Sequence, residues 1–356
     1  MTSTLRLGQI LKGSLSTYTI TKQLQDSVWV ATNLAGEKTI IKSVHHWRLE
    51  NERDVLCRFQ DCAPGLRPLV DEIERGAGTE EAPAIVLKWF EDDALDTARR
   101  RRFTRGEVKY VAKTVLEALE VLHGEGFVHT GMWTSDDVRI LLLDDINGMA
   151  DIKPDNILVN YNPLVEFDPK STRIITARLA DLGNTVPNDS EYARDGFPIG
   201  APIFRSPEAA LRLPWGCSTD VWSLGTTATH KSHLGPELPH LQTPVPADHE
   251  EYELEILMKH CQFFGPYPLS YKDLANLETQ NVLAYVMNTV GGATSGRDMR
   301  KPFYLIREAE ILKEDRTFLG RMMRLDPRDR PTATELLGDE WFDDPGDDFP
   351  LGKRST

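Results

Sequence analysis

The stretch Leu122-His123-Gly124-Glu125-Gly126-Phe127-Val128-His129-Thr130 breaks off, and twenty residues later Asp151-Ile152-Lys153-Pro154-Asp155-Asn156-Ile157-Leu158-Val159-Asn160 begins. With residues 131–150 removed, the two halves read as one segment that follows a helix predicted over 108–123. Within its second half, the Asp151-x-x-x-x-Asn156 spacing sets two oxygen-bearing side chains in one loop, and Lys153 adds an ammonium two residues after Asp151. A carboxylate, an ammonium and an amide oxygen so close in sequence are residue types that can handle phosphate and a hard cation. The interruption falls immediately before Asp151, so it bears directly on whether that site works.

Size and composition set the outer bounds. A chain of 356 residues can bury one large core or two modest lobes. Hydrophobic content of 40% and charged content of 27% are those of an ordinary globular protein. No apolar run approaches the ~18 residues that span a bilayer; the run 140–143 is stopped by Asp144 and Asp145. The first residues, Met-Thr-Ser-Thr-Leu-Arg, hold no apolar signal region. The four cysteines, Cys57, Cys62, Cys217 and Cys261, show no metal-ligand spacing and read as reduced, mostly buried thiols. These features place the protein inside the cell, with no membrane partner.

The formal net charge is −14, with acid clusters at 91–93, 250–255 and 343–348. Such a surface repels nucleic acid and attracts basic partners. The basic run 99–102 with Arg105 opposes the trend. It reads as a solvated helix face, with a nuclear-import signal as the alternative. The expected location is therefore the cytoplasm, with the nucleus as a second destination.

Residues 17–90 read as strands with one helix. Tyr18-Thr-Ile-Thr, Val28-Trp-Val-Ala, 39–44 and Ala84-Ile-Val-Leu87 carry β-branched and aromatic residues, and 33–36 supplies a turn. Leu49, Val55, Leu56 and Phe59 give 49–59 a helical apolar face. The polar segment 91–96 reads as a hinge. Beyond it the chain is mainly helical, with Val111, Val115, Ala118, Leu119 and Leu122 on one face of 108–123 and further helices predicted over 308–325 and 333–342. The stretch 236–246 holds four prolines and reads as a loop; the acidic end from Asp343 reads as a loose tail.

Phosphoryl transfer asks a protein chiefly for position and charge. The needed residue types occur in a workable order. Lys42 on the third strand can contact phosphates, and Glu52 on the next helix can hold it extended. Asp151 can orient a hydroxyl nucleophile and accept its proton, and Lys153 can neutralise the moving phosphate. Asn156 and Asp181 can ligate Mg²⁺ through oxygen.

In that order these residues resemble a eukaryotic protein kinase over 18–342. Asn51-Glu-Arg-Asp-Val-Leu56 is similar to the family's helix C, Asp181-Leu182-Gly183 to Asp-Phe-Gly, and Ser206-Pro207-Glu208 to Ala-Pro-Glu. Asp220-Val-Trp-Ser-Leu-Gly225 resembles helix F, whose Asp braces the catalytic loop. Asp326-Pro-Arg-Asp-Arg330-Pro resembles the segment whose Arg pairs with the glutamate, here Glu208. His-Thr-Asp-Ile-Lys-Pro-Asp-Asn, Ala180-Asp-Leu-Gly-Asn184, Val28-Trp29 and Phe204-Arg205-Ser206-Pro-Glu look like the SR-protein kinases of the CMGC group.

The resemblance implies an α+β, bilobal protein kinase fold. Residues 1–17 would be an N-terminal extension, 18–92 a small β-rich N-lobe, 93–342 a larger α-helical C-lobe with the insertion 131–150, and 343–356 a flexible acidic tail. It implies ATP and Mg²⁺ in the cleft, bounded by Val28, Lys42, Leu87 as gatekeeper, Trp89 in the 84–90 strand and hinge, and Asp181. It implies transfer of phosphate to serine or threonine of a protein, with basic Arg/Ser-rich substrates suited to the acidic surface. The oligomeric state is not implied.

The pattern also fails in places. Thr130 replaces the Arg that docks a phosphorylated loop, which implies either activity without that phosphorylation or a neutral change in a dead enzyme. The glycine positions of the phosphate-covering loop fall on Thr21, Gln23 and Asp26, and Asp26 would repel phosphate. Ala201 stands where a Thr hydroxyl would bridge the catalytic Asp and Lys. The insertion costs folding little, about 0.6 kcal/mol per doubling of loop length. Catalysis tolerates it less, because a ~1 Å misplacement costs roughly 100-fold.

Residues 131–150 read as a translated intron. Met132 and Trp133 have one codon each, so Gly131-Met132-Trp133 is GGN-ATG-TGG and can contain the donor GTATGT. Ala150-Asp151 can read GCA-GAY, containing the acceptor CAG, and excision restores an Asp codon in frame. The alternative is a genuine regulatory or disabling insertion, and with it a pseudokinase that binds nucleotide or protein without efficient transfer.

Overall fold

In a computed structural model of the protein the described residues are 5–75, 81–130, 152–161, 174–229, 243–294 and 296–343. The insertion, Asp151, most of the proline-rich loop and the tail beyond Asp343 lie outside them.

The first lobe is a six-stranded antiparallel sheet in the order β1-β2-β3-β4-β6-β5. Its strands are β1 (Ile10–Lys12), β2 (Thr17–Gln25), β3 (Val28–Asn33), β4 (Lys38–Ser43), β5 (Leu69–Glu72) and β6 (Ala84–Lys88), with α1 (Trp47–Phe59) between β4 and β5. Alternation along each strand divides the side chains between two faces. Tyr18, Ile20, Trp29, Ala31, Ile41 and Val86 pack together on one face. Ile40, Ile85 and Leu87 face the other way and meet Leu49, Val55, Leu56 and Phe59 of α1. The β3–β4 turn is closed by Asn33, whose Oδ1 accepts from Ala35 N and Glu37 N, with Gly36 at φ 80°.

Residues 10–12, expected to belong to an N-terminal extension, form the edge strand β1 instead. The Asp71 carboxylate secures the turn between β1 and β2, accepting from the backbone N–H of Ser14, Leu15 and Ser16 and from the Tyr18 hydroxyl.

The second lobe is built on α3 (Arg105–Gly124) and α6 (Ser218–Thr229), reached through β7 (Asp92–Asp93) and α2 (Ala94–Arg100). The polar segment 91–96 is thus a short strand and the first turn of a helix rather than a bare hinge, because Asp93 caps α2 by accepting from Asp96 N at 2.8 Å. A Thr104/Glu107 capping box starts α3, and Val108, Val111, Val115, Ala118, Leu119 and Leu122 bury one face of it. Strands β8 (Phe127–Val128), β9 (Ile157–Tyr161), β10 (Ile174–Leu179) and β11 (Val186–Pro187) lie beneath the first lobe, β9 pairing with β7 and β10. The remaining helices are α4 (Glu191–Arg194), α5 (Pro207–Ala210), α7 (Tyr252–Phe264), α8 (Leu277–Val290), α9 (Lys313–Met322) and α10 (Ala333–Leu337). Helix α9 is shorter than the predicted 308–325 because its N-terminus is at Leu312, where Glu314 and Asp315 face the helix dipole. One core cluster runs from Ile40 and Leu87 through α3 to Trp341, joining the two lobes.

Two surface expectations are corrected. Among the cysteines Cys261 is buried, whereas Cys57 and Cys62 are exposed. The basic run is only half solvated: Arg99 and Arg100 are exposed, but Arg101 pairs with Glu107 at 2.7 Å and Arg105 with Asp315 at 2.9 Å, all buried. Those two arginines tie α3 to its surroundings.

Candidate functional site

Strand alternation and helix phase bring Lys42 and Glu52 together. Lys42 lies on the α1-facing side of β4, and Glu52 on the buried face of α1. Lys42 Nζ donates to Glu52 Oε2 at 2.8 Å and Oε1 at 3.1 Å, and to Asp181 Oδ1 at 3.2 Å. Burial alone would lower the Lys42 pKa, but Asp181 and Glu52 outweigh it and hold the ammonium above its ordinary value. Burial likewise opposes the Asp181 carboxylate, yet Lys42, with His129 and Lys153, keeps its pKa below the usual range. Lys42 and Asp181 are therefore both charged at neutral pH.

Asp181 sits in the left-handed region at φ 62°, ψ 61°, a costly conformation for a non-glycine residue. The residue before Glu52 on α1 holds the segment beyond Asp181: Asn51 Nδ2 donates to Gly183 O at 3.0 Å and Thr185 O at 2.9 Å. Gly183 packs closely on α1: a Cβ there would lie 3.0 Å from Arg48 O, so a larger residue would push the two segments apart by a few tenths of an ångström.

The floor of the site hangs from α6. Asp220 accepts from His129 N at 2.9 Å, from Thr130 N at 3.4 Å, and bonds His123 Nε2 at 2.9 Å. Thr227, on the same helix, donates to Ile152 O at 2.6 Å. The described residues on either side of the insertion, Thr130 and Ile152, are therefore fastened to one element. Lys153 Nζ pairs with Asp155 at 2.8 Å, and Asn156 O accepts from Ala180 N at 2.9 Å, which sets the loop beside Asp181. Further out, Arg330 and Glu208 form a fully buried two-bond pair at 2.6 Å each.

A cleft of about 370 Å³ opens between the lobes, and Val28, Lys42, Glu52, Asn156 and Asp181 line it. Lys153 is not among the lining residues but pairs with one of them, Asp155, and Asp151 lies outside the described residues. Leu87 and Trp89, expected at the nucleotide, are not among the lining side chains. Leu87 faces the cleft side of the sheet opposite Ile40 but is wholly covered, and Trp89 is half-buried under Lys38 Nζ at 4.7 Å. Asp26, expected to repel phosphate, is an exposed turn residue outside the lining, while Gln25 and Ser27 beside it do line the cleft.

Arg67, Asp93 and Asp155 also line the cleft; Asp155 lies within the 151–156 motif, whereas nothing in the sequence pattern marks Arg67 or Asp93. Burial, with Asp96 and Asp155 nearby, raises the Asp93 pKa to about 6, although the Asp96 and Leu95 N–H groups pull it down. The sequence signal for Arg67 is a lone charge within Gly65-Leu66-Arg67-Pro68-Leu69, too common a pattern to mark a site.

Comparisons with known proteins agree with this arrangement. The solved structure of the yeast RNA polymerase II CTD kinase complex CTDK-1 superposes on 98% of this chain and 99% of the matched chain at a TM-score of 0.66, with 16% identity, which establishes a shared fold. Human serine/threonine-protein kinase PAK 4 is 29% identical over 142 residues, 40% of this chain and 19% of that protein. The Drosophila melanogaster serine/threonine-protein kinase PAK mbt is 25% identical over 254 residues, 71% of this chain and 27% of that protein. The chain thus spans less than a third of the length of these relatives. The protein kinase domain matches residues 149–342, more than half the chain and beginning at the far end of the insertion. With the bilobal α+β fold and the Lys42–Glu52–Asp181 arrangement, this match settles the family: the chain belongs to the protein kinases.

Proposed function

We propose that the chain transfers the γ-phosphate of Mg·ATP to serine or threonine of a protein. The observation that carries this reading is Lys42 Nζ held between Glu52 and Asp181 in the wall of the cleft. An ammonium fixed at both sides can meet phosphate oxygens without first being ordered. Asn156 and Asp181 offer the oxygen ligands that Mg²⁺ prefers, so the site fits the ion. Bound there, Mg²⁺ supplies charge neutralisation of the phosphates. Lys153, paired with Asp155 beside the cleft, adds a positive charge that acts on Asp181. Asp151 takes the proton of the substrate hydroxyl while that oxygen bonds to the γ-phosphorus and ADP leaves.

The substrate we infer is basic and Arg/Ser-rich. The SR-protein-kinase-like motifs support it, as does the net charge of −14. The cytoplasm is the proposed location, with access to the nucleus. A second reading, a pseudokinase that binds nucleotide or protein as a scaffold, is favoured by the glycine-free β2–β3 hairpin, by Ala201 and by the insertion beside Asp151.

Calorimetric titration of the full chain with ADP, with and without Mg²⁺, tests the site apart from turnover. Mg²⁺ is expected to tighten binding, and Asp181→Asn to abolish that gain. Binding that ignores both the ion and Asp181 would overturn the reading.

A further inference from the structure

A second cavity, of about 300 Å³, lies in the second lobe and shares no lining residue with the cleft. One wall is the face of α9 that the core leaves free. Asp315, Phe318, Leu319 and Met322 turn inward and are buried, whereas Arg316, Gly320 and Arg321 line the cavity, followed by Arg324 just past the helix. Phe264, Phe303 and Tyr304 supply the aromatic part of the lining.

Two features mark this cavity as more than a packing gap. Gly320 stands in the helix interior, where glycine weakens a helix. A Cβ there would meet nothing within 4 Å, so packing does not require the glycine; its missing side chain keeps the cavity open. The second feature is charge. The chain carries 55 acidic residues against 41 lysines and arginines, yet three guanidinium groups and no carboxylate line this cavity among the described residues. Arg321 is balanced by Asp339. Arg316 donates to the Ile306 carbonyl, which carries no charge. The Arg324 side chain has no hydrogen-bond or ion-pair partner among the described residues. Two positive charges thus stand uncompensated beside aromatic rings. The ligand that fits brings two carboxylates and an apolar ring.

The sequence holds such a segment, Asp347-Asp348-Phe349, in the stretch beyond Asp343. Its point of departure is close. Asp339, bonded to Arg321 at the cavity wall, caps the one-turn helix Glu340–Phe342, and Asp343 ends it. Four residues at the rise of such a turn put Asp343 about 8 Å from Asp339. The six further residues to Phe349 span at most about 20 Å. The acid pair and the ring are therefore within reach of the cavity.

We infer that the cavity is the docking site of the chain's own segment 347–349, with the two carboxylates on Arg316 and Arg324 and the Phe349 ring among Phe264, Phe303 and Tyr304. The occupant is intramolecular because a short tether holds the segment at roughly millimolar effective concentration, enough for weak contacts to keep it seated. An outside protein with an acidic, aromatic segment must displace it to use the cavity. The inference stands apart from the nucleotide site, and ADP binding should be the same in every variant below.

Fluorescence anisotropy of a labelled peptide spanning 343–351 tests it against two full-length chains. One is the natural chain. The other carries Asp347→Lys, Asp348→Lys and Phe349→Ala, so that its own segment no longer docks. The altered chain should bind the peptide about threefold or more tighter than the natural chain, whose cavity is self-occupied. Adding Gly320→Leu, which fills the cavity, or Arg324→Glu, which reverses its charge, to the altered chain should weaken binding about tenfold. Gly320→Leu should also raise the unfolding midpoint, and Arg324→Glu serves if Gly320→Leu does not fold. Equal binding to the natural and altered chains would show that the cavity takes acidic segments only from outside, and would overturn the inference. So would no binding to either chain, or binding indifferent to both cavity variants. Self-association of the natural chain that the altered chain lacks would place the segment in a second copy and overturn it as well.

Discussion

Lys42 is held by charge on two sides, and that makes its removal informative. Lys42→Met should cut phosphate transfer by roughly 100-fold or more, as loss of one preorganised donor does. It should also destabilise the fold by about 3–5 kcal/mol, because Glu52 would remain buried without its cation. The double variant Lys42→Met/Glu52→Gln should recover part of that stability but none of the transfer. Denaturant unfolding beside a transfer assay checks both statements, and full stability in the single variant would contradict the pairing. Asp93 carries a separate pH signature. Its folded pKa is raised to about 6, so the folded state favours the protonated form. Ionisation of Asp93 therefore costs stability as pH rises from about 4, its unfolded value, through about 6. Asp93→Asn, which keeps the cap on α2, should flatten that part of the stability–pH profile and raise stability at pH 7. Parallel profiles for the two proteins would show that Asp93 does not titrate as described.

At the level of elements, α1 acts as a clamp as well as a carrier of Glu52. Asn51 is its second grip, bonding Gly183 O and Thr185 O in the turn after Asp181. Asn51→Ala should cost about 1–3 kcal/mol, because it leaves buried carbonyls unpaired, and should lower transfer by freeing Asp181 from its left-handed conformation. An unchanged unfolding midpoint would argue that water replaces the amide. The elements themselves were largely legible in the sequence. Alternation in Val28-Trp29-Val30-Ala31 and the 3–4 spacing of Val111, Val115, Leu119 and Leu122 dictate faces that the core then fills. Lys42, Glu52, Asn156 and Asp181 could be found because residue type and order identify them. Arg67 and Asp93 could not. Arg67 reaches the cleft through a bond to Lys88, on another strand, and Asp93 gains part of its shifted pKa from Asp155 in a distant loop. Such long-range encounters leave no local periodicity. Leu87 departs from its expected place for the same reason, since alternation gives the face but not how completely that face is covered.

Across the whole molecule, the interrupted segment is held as though it were continuous. Asp220 fastens His129 and Thr130, Thr227 fastens Ile152, and both belong to α6. One core cluster joins this helix to the sheet that carries Lys42. None of these contacts requires residues 131–150, so a variant lacking them should fold with an unfolding midpoint at or above that of the full chain, because loop closure costs less entropy. It should also seat Asp151 directly after Thr130. The most direct test of the account is transfer of the γ-phosphate from Mg·ATP to an Arg/Ser-rich peptide by this shortened variant, with Lys42→Met in the same background as control. The account predicts transfer by the shortened variant and a loss of roughly 100-fold or more on removing Lys42. A folded, nucleotide-binding variant that transfers no phosphate, or transfer that ignores Lys42, would contradict it.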